Sequence, residues 1–128
     1  DVERSRGLGD VYKRQMLALA ASGLNGQHFA FVGYVPQEAA ERSKRLRELD
    51  ALAHKTGQTQ ILIETPYRNP ALLQALVQSL QPGTRLAICC GLGLPNQQVR
   101  SASVAEWKRH PLAHDLPLTE PAVFLLGR

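Results

Sequence analysis

Residues Arg85–Cys90 read RLAICC, a run in which all five residues after the arginine are apolar. A strand with one face in solvent alternates apolar and polar residues, whereas a strand covered on both faces reads as a near-continuous apolar run. The segment therefore predicts a strand with other elements packed on both sides. Its adjacent cysteines, Cys89 and Cys90, would point to opposite faces. We expect them to be buried free thiols in the reducing cytoplasm, not a disulfide.

The rest of the chain alternates strand and helix patterns in the order helix, then β-α-β-α-β-β-α-β. Besides 85–90, strands are predicted at His28–Gly33, Thr59–Ile63, Gln97–Ala102 and Ala122–Leu126. Helices are predicted from Pro36 to about Lys55, from an Asn69 N-cap followed by Pro70, and from a capping box at Ser103–Glu106. Such alternation indicates an α/β fold, with a mixed sheet of about five strands flanked by helices.

The first fifteen residues differ from the rest of the chain. Asp1–Gln15 shows no periodicity and offers little to bury. Within it, Ser5–Gln15 (SRGLGDVYKRQ) resembles, residue for residue, the in-frame translation of a transposase-based sequencing adapter. We therefore expect residues 1–15 to be a non-native leader and residues 16–128 to be the domain that folds.

Several common kinds of site find little support in the sequence. His110 and His114 have a spacing that suits metal ligands on a helix, but Pro111 and Pro117 interrupt any such helix, so no metal site is expected. No serine or cysteine stands in a GxSxG-like elbow. The apolar run at 16–21 is too short to span a membrane.

The segment Glu64–Arg68 (ETPYR) is the most informative for function. A carboxylate, a proline, a phenol and a guanidinium directly follow a predicted buried strand. Open α/β sheets place ligands at the carboxyl ends of their strands, which favours a binding site here. The alternative is structural: Glu64 and Arg68 pair with each other and hold the turn before Asn69.

Three segments together resemble the C-terminal domain of the tetrapyrrole methylase superfamily. Ser22–Pro36 is similar to that family's helix end, strand and GFLP-type turn. Ile61–Arg68 (ILIETPYR) is similar to the strand and ESPHR-type turn of the branch that methylates a ribose of small-subunit ribosomal RNA. Pro121–Gly127 (PAVFLLG) is similar to the family's closing strand.

The resemblance implies a two-domain, usually homodimeric α/β enzyme that binds S-adenosylmethionine in the cleft between its domains, with this chain as the C-terminal half. Tyr67 and Arg68 would face the methyl acceptor, either rRNA or a tetrapyrrole-like small molecule, and no catalytic residue is assigned. Because the glycine-rich half is absent, we expect the fragment alone to be inactive. The implied cofactor contacts come from Glu64, Thr65, Leu92, Pro121 and Ala122.

Two other functions stay open. One is a degenerate, inactive methylase, which would allow two departures from the rRNA branch. Cys90–Leu94 (CGLGL) stands where that branch carries an RELTK-type segment, and Gln37 stands where it has a basic residue. A non-enzymatic RNA- or protein-binding module is the other alternative. Its basic residues at 42–47 either face RNA or form a solvated face, since acidic residues are interleaved with them. A lack of exposed aromatic side chains, expected from an aromatic content of 5%, argues against base stacking.

Overall fold

The computed structural model describes residues 18, 19, 22–91, 95, 97–110 and 116–128. The expected leader at 1–15 lies outside this part of the chain. From the first strand onward the predicted order of elements is confirmed, and each strand begins and ends within one residue of its predicted bounds. The elements are β1 (Phe29–Gly33), α1 (Ala39–Thr56), β2 (Thr59–Ile63), a 3₁₀ turn (Pro66–Arg68), α2 (Asn69–Ser79), β3 (Arg85–Cys90), β4 (Gln98–Ser103), α3 (Val104–Arg109) and β5 (Ala122–Gly127).

The strands form one mixed sheet, as predicted, and their order across the sheet is β1-β2-β5-β3-β4. β1 and β2 are parallel, and the other three neighbouring pairs are antiparallel. β5 therefore runs between β2 and β3 and pairs with both. As a result β1, β2 and β3 point in one direction, while β4 and β5 point in the other.

β3 is buried on both faces, as its composition predicted. Cys90 belongs to an apolar cluster that includes the buried residues of all three helices, and Cys89 belongs to a second cluster on the opposite face of the sheet. The second face is covered by Ala18 and Leu19, with Leu24 packed beside them. Both cysteines are free, as expected. The sheet thus separates two apolar cores.

α1 begins later than the proline signal indicated. The predicted start at Pro36 is wrong by three residues, because Glu38 is the N-cap. Its extended backbone stays outside the helix, and its carboxylate accepts hydrogen bonds from the backbone N–H groups of Ala40 and Glu41 at 3.1 and 2.8 Å. The predicted end is confirmed: Gly57 adopts the left-handed conformation at φ 78°, which glycine takes without steric cost.

α1 is tied to the turn before β3 by a buried carboxylate. One oxygen of Asp50 accepts the backbone N–H of Gln81 at 2.8 Å, and the other accepts the Thr84 hydroxyl at 2.5 Å. Nε2 of His54, one helical turn along, lies 2.8 Å from the same hydroxyl oxygen. A polar cluster therefore fixes the helix against the end of the sheet at which β3 begins.

The start of α2 corrects another expectation. Asn69 is not the N-cap, because the 3₁₀ turn runs directly into the helix and Asn69 has helical dihedral angles. Its side chain is fully buried and donates hydrogen bonds to the carbonyl oxygens of Leu118 and Glu120. Sequence alone could not distinguish the two roles, since the long-range carbonyls become neighbours only when β5 enters the sheet.

α3 is short but well anchored. The predicted capping box is confirmed: the Ser103 side chain accepts from the backbone N–H of Glu106, and the Glu106 carboxylate accepts from the backbone N–H of Ser103. The indole N–H of Trp107 donates to the carbonyl oxygen of Leu86 at 2.9 Å. The single tryptophan therefore lies in the core with its polar atom satisfied.

Candidate functional site

Five strand ends meet at one end of the sheet. Because of the strand directions, these are the carboxyl ends of β1, β2 and β3 and the amino ends of β4 and β5. Ile63 of β2 lies opposite Val123, and Cys90 of β3 lies opposite Ala122. The backbone N–H of Gly91 donates to the carbonyl oxygen of Pro121 at 3.0 Å. The turns that follow β2 and β3 therefore flank the start of β5.

Glu64 is the buried acid of this end. Its relative exposure is 8%, and its Oε1 accepts the backbone N–H of Thr65 at 2.7 Å. Thr65 is half-buried and extended, and its carbonyl oxygen accepts the N–H of Arg68 to start the 3₁₀ turn. The site thus has a negative charge held close to the sheet and a hydroxyl beside it.

Tyr67 and Arg68 project from the following turn. The Tyr67 ring is 71% exposed, and the Arg68 guanidinium lies over it at 4.8 Å from the ring centroid. This contact corrects the structural alternative for ETPYR: within the described residues, Arg68 packs on the tyrosine and forms no ion pair with Glu64. The arginine therefore leaves the Glu64 carboxylate available to a ligand.

Sequence reasoning missed Tyr34. It follows β1 directly and is 64% exposed, so the parallel neighbours β1 and β2 each lead into an exposed tyrosine. The expectation that the chain lacks exposed aromatic side chains is therefore wrong. The available signal was the position of Tyr34 immediately after the end of a predicted strand, where side chains leave the core.

Pro121 and Ala122 lie at the same end of the sheet, across from the Glu64–Thr65 turn. Pro121 is exposed and Ala122 is buried as the first residue of β5. The preceding loop is held by the Asn69 amide through the carbonyl oxygens of Leu118 and Glu120. One buried side chain therefore connects the turn after β2 to the approach of β5.

The thiols near this end are not activated. Burial raises the pKa of Cys90 to about 11, with a further increase from Glu120 that Arg100 opposes. Burial, and then Cys90, raise the pKa of Cys89 to about 12. Since the thiolate is the nucleophilic form, neither residue is suited to covalent catalysis at neutral pH.

Two predicted features fall on parts of the chain that the structure does not describe. Leu92, the implied cofactor contact after β3, lies outside the described residues, although Gly91 before it is left-handed at φ 64°. His114 also lies outside them. Within the described part of the chain, no group of three or more His, Cys, Asp or Glu residues is arranged to hold a metal ion. No helix there combines the length and apolar character needed to cross a membrane.

The chain is similar in sequence and in fold to known methyltransferases. No family model matches the chain. Over 108 residues, 84% of the chain, it is 32% identical to ribosomal RNA small subunit methyltransferase I of Mesorhizobium japonicum, and the match covers 35% of that protein. Its fold is similar to those of the cobalt precorrin-4 methyltransferase CbiF (TM-score 0.56, 12% identity) and the methyltransferase CobJ (TM-score 0.52, 19% identity).

The two structural matches cover 86% and 87% of this chain, respectively, and 46% of each of the other chains. The chain therefore spans about a third of the rRNA methyltransferase and less than half of the two solved structures. Over most of its length, the chain is therefore similar in sequence to an rRNA methyltransferase and in fold to two other methyltransferases.

Proposed function

We propose that this chain is the C-terminal half of an S-adenosylmethionine-dependent methyltransferase, and that the end of the sheet described above is one wall of its cofactor cleft. The observation that best supports this is the juxtaposition of the Glu64–Thr65 turn with Pro121–Ala122, across the paired strands β2 and β5. Ligands of open α/β sheets bind outside strand ends of this kind. The match to methyltransferases in both sequence and fold supports the same assignment.

The residues present fit the chemistry of this cofactor. S-adenosylmethionine, when bound, supplies a methyl group on a positively charged sulfonium. The buried carboxylate of Glu64 would be its negative counterpart, and the Thr65 hydroxyl and the backbone at Pro121 and Ala122 would offer polar contacts. Leu92 would complete this wall.

Tyr34, Tyr67 and Arg68 would contact the methyl acceptor. All three follow strand ends at this edge, and the two tyrosines are exposed. Holding donor and acceptor in line can contribute about 7–11 kcal/mol to lowering the barrier. Such positioning needs both walls of the cleft, so the chain alone would have no methyl transfer activity.

The acceptor we propose is small-subunit ribosomal RNA, because the sequence match is to an enzyme of that name. A tetrapyrrole-like small molecule is the alternative acceptor. We also propose that the whole protein is a cytoplasmic homodimer. The transfer itself needs no metal ion, because the sulfonium is already an activated methyl donor.

A chimera tests the proposal. Residues 22–128 would replace the aligned segment of the Mesorhizobium enzyme, and transfer of labelled methyl groups to small ribosomal subunits would be measured. Activity that falls about tenfold or more in Glu64→Gln and Thr65→Val variants would support the assignment. Glu48→Gln, an exposed carboxylate on α1, is the control and should leave activity unchanged.

Two results would contradict it. A folded chimera that binds S-adenosylmethionine yet transfers no methyl group would identify this half as degenerate. Micromolar affinity of the isolated chain for the cofactor, measured by isothermal titration, would contradict the assignment of only one wall of the cleft to it.

A further inference from the structure

We propose that Asn69 is a positioning residue for the cofactor: its buried side chain holds the backbone just before Pro121 and so sets the place of Pro121 on the candidate cofactor wall. Asn69 acts through that backbone and does not itself touch the cofactor. Its effect on the cofactor rests on the proposed function, whereas its control over Pro121 rests on the hydrogen bonds of this chain alone.

The side chain of Asn69 uses both of its donors on one short segment. It is fully buried, and its Nδ2 donates to the carbonyl oxygens of Leu118 at 2.9 Å and Glu120 at 3.1 Å. Both partners can only accept, so the nitrogen of the amide, and not its oxygen, must face them. Because the two N–H bonds of a planar amide have fixed directions, holding both carbonyls at once restricts the backbone at 118–120.

Packing alone does not account for an amide at this position. Oδ1 of Asn69 is buried and accepts no hydrogen bond from any residue that the structure describes. A buried acceptor without a donor costs free energy, so part of the stabilisation from the two donated bonds is offset. A polar group kept in a core at such a cost is typical of a place where the geometry serves function.

Pro121 is held from two directions. Asn69, which follows β2, binds the carbonyl of Glu120 directly before it. The backbone N–H of Gly91, which follows β3, donates to the carbonyl oxygen of Pro121 itself at 3.0 Å. Ala122, in contrast, is fixed by the pairing of β5 with β3. Without the Asn69 amide, Pro121 would be held only from the β3 side and would move more than Ala122.

The turn that carries Tyr67 and Arg68 does not need the Asn69 side chain. Its backbone is closed by the N–H of Arg68, which donates to the carbonyl oxygen of Thr65 at 2.8 Å. The backbone N–H of Asn69 donates in the same way to the carbonyl oxygen of Pro66. Both bonds remain in an Asn69→Ala variant. Loss of the side chain should therefore disturb the cofactor wall and spare the turn proposed to contact the acceptor.

Amide hydrogen exchange of the full chain, followed by nuclear magnetic resonance, tests the control over Pro121. The N–H of Gly91 is the reporter, because its acceptor is the Pro121 carbonyl. The N–H of Thr59 is the reference, since it donates at 2.9 Å to the carbonyl just before β1, at the opposite end of the sheet. The ratio of the two exchange rates separates local loosening from a general loss of stability.

Asn69→Ala should raise the ratio of the Gly91 rate to the Thr59 rate about tenfold. Asp50→Asn is the matched control, because it should cost a similar amount of stability at the end of the sheet where β3 begins. It should not raise the ratio. Asn69→Ser keeps one donor in place of two, so it should raise the ratio by a smaller factor. It also serves if the alanine variant does not fold.

The chimera with the Mesorhizobium enzyme tests the effect on the cofactor. Isothermal titration would give its Kd for S-adenosylmethionine, and filter binding would give its Kd for small ribosomal subunits. Asn69→Ala should raise the Kd for the cofactor about tenfold and change that for the subunits less than about twofold. Asp50→Asn should change neither Kd by more than about twofold.

An exchange ratio that stays constant in Asn69→Ala, or that rises as much in Asp50→Asn, would overturn the control over Pro121. Equal losses of affinity for the cofactor and for the subunits would overturn the specific effect on the cofactor wall and leave Asn69 a purely structural role. Failure of the unaltered chimera to bind S-adenosylmethionine would instead contradict the proposed function, and the exchange ratio would be unaffected by it.

Discussion

The buried side-chain amide of Asn69 donates a hydrogen bond to the backbone carbonyl oxygen of Glu120, 51 positions later in the chain, at 3.1 Å. The same nitrogen donates to the carbonyl of Leu118 at 2.9 Å. The contact joins the turn that carries Tyr67 and Arg68 to the residues just before Pro121. The Asn69 amide therefore links the two sides of the candidate site, in addition to the pairing of β2 with β5.

Substitutions of Asn69 distinguish this role from helix capping. Asn69→Ala should lower the free energy of unfolding by about 2 kcal/mol, because two carbonyl groups lose their donor. Asn69→Asp should lower it further, since a carboxylate would face the same two carbonyl oxygens. Urea unfolding followed by the fluorescence of Trp107 measures both. If the Asn69→Asp variant were as stable as the unaltered chain, the side chain would be acting as a cap, where aspartate and asparagine are equivalent.

The Asp50 cluster should matter for stability and not for ligands. In Asp50→Asn, an amide donor takes the place of one carboxylate oxygen, which accepts either the Gln81 N–H or the Thr84 hydroxyl. We therefore expect the free energy of unfolding to fall by about 2 kcal/mol. Thr84→Val removes only the hydroxyl partner and should cost about 1 kcal/mol. Thermal or urea unfolding measures both. A loss from Thr84→Val as large as that from Asp50→Asn would contradict this account of the cluster.

The N-cap residue of α1, Glu38, should make the stability of the chain depend on pH. Hydrogen bonds from the backbone N–H groups of Glu41 and Ala40 lower the pKa of Glu38 below its ordinary value of 4.5. Its stabilising effect is therefore complete above pH 4.5 and is lost as the pH falls through the lowered pKa. Glu38→Ser keeps a capping group that does not titrate.

The unfolding free energy of the unaltered chain, relative to that of the Glu38→Ser variant, should therefore fall over the pH interval below about 4.5. Unfolding curves at several pH values measure the difference. A constant difference across that interval would show that the cap does not depend on the charge of Glu38.

The two thiols should be unreactive in the folded chain. With the pKa raised to about 12 at Cys89 and about 11 at Cys90, from an ordinary 9.0, the thiolate fraction at pH 8 falls about a hundredfold or more. Reaction with Ellman's reagent should be slower by at least that factor than in the urea-unfolded chain. In single variants, Cys90→Ala, which retains Cys89, should react more slowly than Cys89→Ala.

The raised values also predict lower stability at high pH. A thiol whose pKa is raised on folding stabilises the protein below the unfolded pKa, and this effect is lost as the pH rises through the folded pKa. Unfolding free energy should therefore decline from about pH 9 upward, and replacing both cysteines with alanine should remove part of that decline. An unchanged decline in the double variant would assign it to other groups.

The sequence predicted the elements better than their relations. Each strand has a local signature, such as the apolar run at Arg85–Cys90, because burial imposes a pattern on consecutive residues. The predicted start of α1 was wrong because a proline such as Pro36 is compatible with a helix start, whereas the residue that caps the helix is Glu38. Asn69 was assigned to a cap for the same reason: its residue type suits a local role, and its true partners are distant in sequence.

The candidate site was recognised through ETPYR and the segments that resemble known methylases. The missing information was spatial. No local pattern showed that Tyr34 would be exposed at the same end of the sheet as Tyr67. That arrangement follows from the parallel pairing of β1 with β2.

The strand order has a consequence for biosynthesis. β5 is the last strand along the chain, yet it separates β2 from β3 at the middle of the sheet. Before β5 is synthesised, the nascent polypeptide has two half-sheets, β1-β2 and β3-β4, without the strand that pairs with both of them. Until Ala122–Gly127 is available, β2 and β3 each present an unpaired strand edge, and a stop codon before Ala122 would leave two separate half-sheets instead of a slightly shortened domain.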